Sequence, residues 1–197
     1  MREIIFGPPG TGKTTHLLRI VEQELKNKVS PNRIGYFAFT TKASEEALKR
    51  AADDFNHNVK DFTYFRTLHS LAYRELSLKE EDVMNDDDYS YLSNKLQIKL
   101  SNPNNKVKAY GAGLPDDVFT RIIDLAKING ISAREQFDNP DTGHLPGGWL
   151  KLDYIERAMQ EYKFGGEFPR RKYDYTDMII EFNKKHIDTL PQFDVVI

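Results

Sequence analysis

The sequence predicts an α/β protein with a parallel sheet and a mainly helical insert. Over residues 1–77, short apolar stretches alternate with segments whose apolar residues recur at helical spacing, which is typical of parallel strands joined by crossover helices. Residues 78–172 show helical periodicity and turn-rich segments instead, and residues 173–197 end in an apolar run. We therefore expect residues 1–77 and 173–197 to form one α/β domain, interrupted by a helical insert subdomain at residues 78–172.

Composition limits the class of protein. Hydrophobic residues make up 39% of the 197 residues, which is enough for a packed core. The formal net charge of −2 gives no overall field that attracts polyanions, so any contact with nucleic acid must come from a local patch. The absence of cysteine excludes disulfides and thiolate zinc sites. No apolar run approaches the ~20 residues of a membrane span, and the N-terminus has no cleavable signal. We expect no membrane partner and a cytoplasmic location.

The first predicted elements are a strand at residues 3–6, a glycine-rich loop at residues 7–14 and a helix at residues 16–26. The loop reads Gly-Pro-Pro-Gly-Thr-Gly-Lys-Thr, which has the G-x-x-x-x-G-K-[ST] spacing of phosphate-binding loops. Its glycines let backbone N–H groups wrap around phosphate oxygens without obstruction by a Cβ atom. The helix adds the positive end of its dipole. This succession of strand, loop and helix predicts a site for a nucleoside triphosphate.

The positions of this loop have different expected roles. The Lys13 ammonium can reach the β- and γ-phosphates and is the candidate catalytic group, while the Thr14 hydroxyl can ligate Mg²⁺. Thr15 can continue the hydrogen bonding. The residues expected to bind the nucleotide are Gly7, Pro8, Pro9, Gly10, Thr11, Gly12, Lys13, Thr14 and Thr15.

The remaining elements continue the same pattern. The further predicted strands are residues 34–39, 61–65 and 193–197. The further predicted helices are residues 43–55, a helix after Thr67, and residues 116–129 and 150–162. Loops are expected at residues 140–148 and 165–172.

Two predicted strand ends carry chemical groups. The run Phe39-Thr40-Thr41-Lys42-Ala43-Ser44 offers an aromatic ring and two hydroxyls, and Thr67-Leu68-His69-Ser70 follows the next strand. An exposed ring at such a position can stack on a nucleobase. In their order and spacing, the phosphate loop and these two segments resemble the UvrD/Rep family of superfamily 1 helicases. The later run Asp174-Tyr175-Thr176-Asp177-Met178 is similar to the segment that marks the end of the helical insert in that family.

The resemblance implies a RecA-like P-loop NTPase fold and the motor domain of an ATP-dependent DNA helicase or translocase. It implies that Phe39 stacks on a base of single-stranded DNA and that Thr40, Thr67 and His69 contact the strand. It also implies ATP and Mg²⁺ as cofactors, held by the loop. The family's catalytic carboxylates would begin just past Ile197. We therefore expect a fragment that binds phosphate or nucleotide without turnover and works with a second RecA-like domain of the same polypeptide, absent here.

Several residues have an alternative, structural interpretation. Phe39 could belong to the core, since Phe37 and Phe39 would share one face of a strand. His69 could be a structural histidine, and Asp174 and Asp177 could cap a helix or lie on the surface. The basic residues 170–172 are either a solvated loop or a contact to duplex DNA.

Two other functions remain open for the chain as a whole. The first is a small-molecule P-loop kinase with an acceptor pocket in the insert, which would need its own acidic base and a basic lid. The second is a nucleotide- or DNA-binding module without catalytic activity.

Overall fold

The computed structural model describes residues 3–103, 116–139, 148–166, 171–185 and 187–197. The chain forms two compact units: an α/β unit made of Met1–Glu75 and Lys185–Ile197, and a helical unit made of Leu76–Lys184. The predicted fold class, a parallel α/β sheet with a mainly helical insert, is confirmed. The α-helix at Tyr175–Asn183 lies in the helical unit, although the sequence predicts that residues 173–197 belong to the α/β domain. The domain boundaries themselves stay a prediction.

A three-stranded parallel sheet is the centre of the α/β unit. Its strands are β1 (Ile34–Phe37), β2 (Phe65–Arg66) and β3 (Val195–Val196), in the order β2-β1-β3. The register pairs Tyr36 with Phe65, whose rings stack with their centroids 5.0 Å apart. Because the strands are parallel, the segments that follow β1 and β2 leave the sheet at the same edge.

One face of this sheet packs against α1 (Lys13–Lys26) and α2 (Thr41–Phe55). Small side chains from α2 and branched side chains from α1 fill the space beneath β1, which lets the two helices approach closely. The buried core residues of this unit are Leu18, Val21, Ile34, Tyr36, Ala47, Ala51, Ala52, Phe62 and Phe65. A third helix, α3 (Leu68–Glu75), follows β2.

The predicted strand at residues 3–6 is wrong. These residues precede the phosphate loop in irregular conformation, and the side chains of Ile4 and Phe6 are 77% and 89% exposed. A strand needs a neighbour with which its backbone exchanges hydrogen bonds, and within the described residues none pairs with this segment. Apolar composition alone therefore does not make a strand here.

The strand predicted at residues 61–65 is also displaced. Its first residue belongs to a single 3-10 turn, Val59–Asp61, and the strand forms only at Phe65–Arg66. The Asn58 side chain accepts the N–H of Lys60 at 2.9 Å, and the Asn58 N–H donates to the Asp61 carboxylate at 3.0 Å. These local bonds satisfy the backbone in a turn and delay the strand.

The helical unit contains five α-helices within its described residues. They are α4 (Asp86–Leu96), α5 (Asp117–Asn129), α6 (Ala133–Phe137), α7 (Gly148–Phe164) and α8 (Tyr175–Asn183). Its core is separate from that of the sheet and consists of Met84, Tyr89, Leu92, Leu96, Leu100, Phe119, Ile122, Ile123, Ala126, Ala133, Leu152, Ile155, Met159 and Tyr162. Residues 140–147 of the predicted loop lie outside the described residues. In the described part of the chain, no helix is long and apolar enough to cross a membrane.

Candidate functional site

The phosphate loop leads directly into α1. Gly10 and Gly12 have φ angles of 81° and 80°, in the left-handed region that favours glycine. A Cβ atom added to either residue would meet no atom within 4 Å apart from those of the glycine and its two chain neighbours. The backbone at these two turns is therefore open to the close approach of a ligand.

The ammonium of Lys13 lies against the carbonyls of this loop. Its Nζ donates to the Gly7 oxygen at 2.6 Å and to the Pro8 oxygen at 2.7 Å. The Thr11 hydroxyl also donates to the Pro8 oxygen, at 2.9 Å. The loop thus keeps a cation beside its glycine-rich turn. An anionic oxygen is a stronger acceptor for that cation than a peptide carbonyl.

The first turn of α1 supplies further donors. Gly12 is the N-cap of the helix, and the first backbone hydrogen bond runs from the His16 N–H to the Gly12 oxygen at 2.9 Å. The N–H groups of Lys13, Thr14 and Thr15 precede that bond and have no acceptor within the helix. Together with the helix dipole they favour an anion. This set of donors fits the phosphates of a nucleotide.

Thr14 is an exposed residue at the same helix start, so its hydroxyl can serve as a Mg²⁺ ligand beside phosphate. Among the described residues, histidine and acidic side chains form no group of three or more that could hold a metal ion. Thr14 therefore stays the candidate protein ligand, alongside the phosphate oxygens themselves.

A second candidate site lies at the edge of the sheet where β1 and β2 end. The Phe39 side chain follows β1 and is 99% exposed, so it lies outside the core. Strand β1 ends at Phe37, and the last ladder bond runs from the Ala38 N–H to the Arg66 oxygen at 3.1 Å. The alternation of a strand therefore stops before Phe39, which is why Phe37 and Phe39 do not share a buried face.

The neighbouring threonines begin the helices that follow the two strands. Thr40 Oγ1 accepts the Ala43 N–H at 3.2 Å at the start of α2, and Thr67 Oγ1 accepts the Ser70 N–H at 3.1 Å at the start of α3. The sequence had not indicated these capping roles. Each hydroxyl still has its own proton to donate.

His69 lies in the first turn of α3 and is partly buried. Burial lowers the pKa of its imidazole, which favours the neutral ring at pH 7. The structure thus brings Phe39, Thr40 and Thr67 to the same sheet edge, with His69 two residues further along. Their contact with DNA stays a prediction.

The two aspartates of the return segment have a structural role. At the start of α8, the Asp177 N–H donates to Asp174 Oδ1 at 2.7 Å, and the Asp174 N–H donates to Asp177 Oδ2 at 3.2 Å. Lys163 is 1% exposed, and its Nζ donates to both carboxylates at 2.7 Å. Lys127 Nζ donates to the same two carboxylates at 3.1 and 2.8 Å. The helix-capping interpretation is confirmed, but the pair is buried and not on the surface.

Burial and neighbouring charges shift the pKa values of two aspartates in this cluster, Asp174 and Asp124. Burial alone would raise the pKa of Asp174, but the ammonium groups of Lys163 and Lys127 outweigh burial and lower it. Burial raises the pKa of nearby Asp124 to about 6, helped by the charge of Asp174 and opposed by Lys127. The cluster therefore joins α5, α7 and α8 through charges inside the helical unit.

Part of the basic segment at residues 170–172 is also structural. Lys172 Nζ lies 2.9 Å from Asp88 Oδ1, and this same oxygen accepts the Tyr162 hydroxyl at 2.5 Å. Arg171 is exposed, and Arg170 lies outside the described residues. Lys172 is thus paired within the insert and not simply solvated, and contact with duplex DNA stays the alternative interpretation of this segment.

Comparison with known proteins agrees with this arrangement. Residues 2–185 match the family described as the UvrD/REP helicase N-terminal domain. A probable DNA helicase II homolog from Mycoplasma genitalium is 33% identical over 107 residues, a match that covers 50% of this chain and 15% of the relative. The chain thus matches only a small part of the length of this curated relative. No solved structure gave a significant match.

The family match covers most of the chain and includes the phosphate loop, both strand ends and the return segment. The parallel sheet with its helical insert is the architecture that the resemblance implied. The chain belongs to the UvrD/REP helicase N-terminal domain family.

Proposed function

We propose that this chain is the ATP-binding motor domain of an ATP-dependent DNA helicase or translocase that acts on single-stranded DNA. The observation that supports the proposal most is the loop before α1. This loop brings together two glycines in the left-handed backbone conformation, the Lys13 ammonium and the free N–H groups at the start of a helix. Such a set of donors serves phosphate groups.

In this proposal the loop residues position the phosphates. Lys13 exchanges the carbonyls of Gly7 and Pro8 for phosphate oxygens and neutralises the charge that develops as the γ-phosphoryl group leaves. The hydroxyl of Thr14 ligates Mg²⁺. ATP supplies the transferable phosphoryl group when it is bound.

The sheet edge is the proposed contact for single-stranded DNA. The Phe39 ring offers a face to a base, and stacking of this kind contributes about 1–3 kcal/mol per base without regard to sequence. Thr40 and Thr67 donate hydrogen bonds from their hydroxyl groups to the sugar-phosphate backbone. The partly buried His69 completes this surface as a neutral ring.

Hydrolysis and movement belong to the proposal for the intact protein. In P-loop NTPases an arginine from a facing domain raises the rate of hydrolysis by a factor of about 10³–10⁵. We propose that a second RecA-like domain of the same polypeptide supplies it, and that the chain described here binds nucleotide without turnover by itself. A cytoplasmic location stays a prediction.

Two titrations of the 197-residue chain test the proposal. A fluorescent ATP analogue with Mg²⁺ should bind to the chain, and Lys13→Ala should lose that binding. Labelled oligo-deoxythymidine should bind independently of Lys13. Failure of the wild-type chain to bind either probe would contradict the proposed function.

A further inference from the structure

A second cation lies next to the phosphate loop, on a different helix. The Nη2 group of Arg50, on α2, donates to Thr15 Oγ1 at 3.4 Å. Thr15 is in the first turn of α1, directly after Lys13 and Thr14. We propose that the Arg50 guanidinium binds the phosphate chain of the nucleotide that the loop holds. This inference rests on the proposed nucleotide binding.

The position of Arg50 is fixed by helix packing. Ala47 and Ala51, which flank Arg50 along α2, are fully buried in the core that also contains Leu18 and Val21 of α1. A close-packed contact of this kind does not let one helix slide along the other. The stem of Arg50 therefore starts from a fixed place beside the first turn of α1.

The charge of Arg50 is poorly compensated. Its nearest carboxylate is that of Glu46, which is 65% exposed, and the two groups are 3.8 Å apart. An exposed pair at this distance contributes little. In the described part of the chain no other carboxylate pairs with this guanidinium. Its position near the positive end of α1 is also electrostatically unfavourable. An anion bound between Arg50 and the loop would reverse both effects.

The chemistry of the guanidinium suits phosphate. It carries five N–H donors in a planar fork, of which the Thr15 hydroxyl engages one. The other donors can bind two phosphate oxygens at once, as arginine does in phosphate sites. Lys13 acts from within the loop and Arg50 from the neighbouring helix, so the phosphate chain would lie between two cations.

Lys49 offers a matched control for this inference. It stands next to Arg50 on α2 and is exposed, so Lys49→Met removes the same charge one residue away. The probes are ATP with Mg²⁺ and inorganic tripolyphosphate, which has the phosphates but no nucleoside. Arg50→Met should lower the affinity for both probes by about tenfold, the scale of one charge-assisted hydrogen bond. Lys49→Met should leave both affinities within about twofold of the wild type, as is usual for an exposed surface substitution.

The outcomes separate this inference from the proposed function. Suppose that the wild type binds ATP and that Lys13→Ala abolishes this binding. If Arg50→Met then binds ATP and tripolyphosphate as tightly as Lys49→Met does, Arg50 only joins two helices and the inference is overturned. If the wild type binds neither probe, the proposed function fails as well. Should Arg50→Met not fold, Arg50→Lys keeps the charge and loses the fork. It should bind both probes more weakly than the wild type, and unchanged affinity would refute the inference.

Discussion

Lys13 makes two of the shortest side-chain contacts in the α/β unit, and both are to carbonyls of its own loop. These contacts are local and partly exposed, so they contribute little to the stability of the fold. Their importance lies in what can replace them, because a phosphate oxygen offers a full negative charge where a carbonyl offers a partial one. Lys13 thus links the local conformation of the loop to its proposed chemistry.

The first prediction concerns Lys13→Ala. We expect this variant to lose ATP binding, because the ammonium that faces the phosphates is gone. Its free energy of unfolding should stay within about 0.5 kcal/mol of the wild-type value, as for other exposed positions. Isothermal titration with ATP and Mg²⁺, paired with urea unfolding, measures both quantities. Wild-type affinity in the variant would contradict the role of Lys13.

The second prediction concerns Phe39→Ala. Because the ring is 99% exposed, its removal should not change stability. Binding of single-stranded DNA should weaken by about 1–3 kcal/mol, the contribution of one stacked base, with ATP affinity unchanged. Fluorescence anisotropy with labelled oligo-deoxythymidine measures the effect.

Phe6→Ala is the control, since Phe6 is equally an exposed phenylalanine but lies before the loop and not at the sheet edge. Equal losses of DNA affinity in Phe39→Ala and Phe6→Ala would show that the sheet edge has no special role. A fall in melting temperature that parallels the loss of DNA binding would show that Phe39 belongs to the core.

At the scale of secondary-structure elements, the helical unit depends on a charged cluster as well as on its apolar core. Lys127 of α5, Lys163 of α7 and the two aspartates at the start of α8 share one buried network. A buried ion pair is weak evidence for net stability, but removal of one partner leaves the other charge without compensation.

The third prediction follows from that asymmetry. Lys163→Met should destabilise the chain by about 3–5 kcal/mol, since two carboxylates lose a cation that is 1% exposed. Lys184→Met removes the same charge from an exposed pair with Glu181 and should change stability by less than about 1 kcal/mol. Urea unfolding of both variants makes the comparison. Similar stabilities for the two variants would refute the structural role of the cluster.

The fourth prediction concerns the pH dependence of this cluster. The pKa of Asp124 is raised to about 6, so the folded state binds its proton more tightly than the unfolded chain, and stability rises as the pH falls from about 6 to 4. The pKa of Asp174 is lowered, so its contribution is complete above about pH 4 and is lost as the pH falls further. Lys127, Lys163, Asp177 and Tyr89 are the other titratable groups around them.

Asp124→Asn tests this assignment. The variant should be more stable than the wild type at pH 7, because the buried charge is gone. Its free energy of unfolding should not rise as the pH falls from 6 to 4. Unfolding by urea at pH 7, 6, 5 and 4 gives the two profiles. Parallel profiles for the wild type and the variant would show that Asp124 does not titrate in this range.

The elements differ in how well the sequence predicts them. Helices α1, α2, α5 and α7 agree with the helical spacing of their apolar residues, because that spacing determines which face is buried. Helix α4 was not expected. Its signals were the Asn85 cap with Asp88 three residues later and the spaced apolar residues Tyr89 and Leu92, within a stretch that is otherwise acidic.

The strand predicted at residues 3–6 fails for a different reason. Pairing between strands depends on distant partners, which the local sequence does not contain. The same limit applies to the candidate site. The spacing of residues 7–14 is enough to indicate the phosphate loop, whereas the contact between Arg50 and Thr15 joins positions 35 residues apart and needs the packing of two helices.

At the scale of the whole molecule, the phosphate loop and the sheet edge that we propose for DNA contact lie within one α/β unit of a UvrD/REP helicase N-terminal domain. In a motor of this kind, nucleotide and DNA affect each other through the domain that carries both sites. A small-molecule kinase with the same loop would respond to a small phosphate acceptor and not to DNA. We therefore propose that ATP and single-stranded DNA are coupled in this protein.

The most direct test is the rate of ATP hydrolysis by the intact protein, measured with and without single-stranded DNA. We expect that DNA raises the rate of hydrolysis and that Lys13→Ala abolishes hydrolysis under both conditions. We also expect Phe39→Ala to raise the DNA concentration needed for half-maximal stimulation. A rate that does not respond to single-stranded DNA but rises with a small phosphate acceptor would contradict the motor assignment.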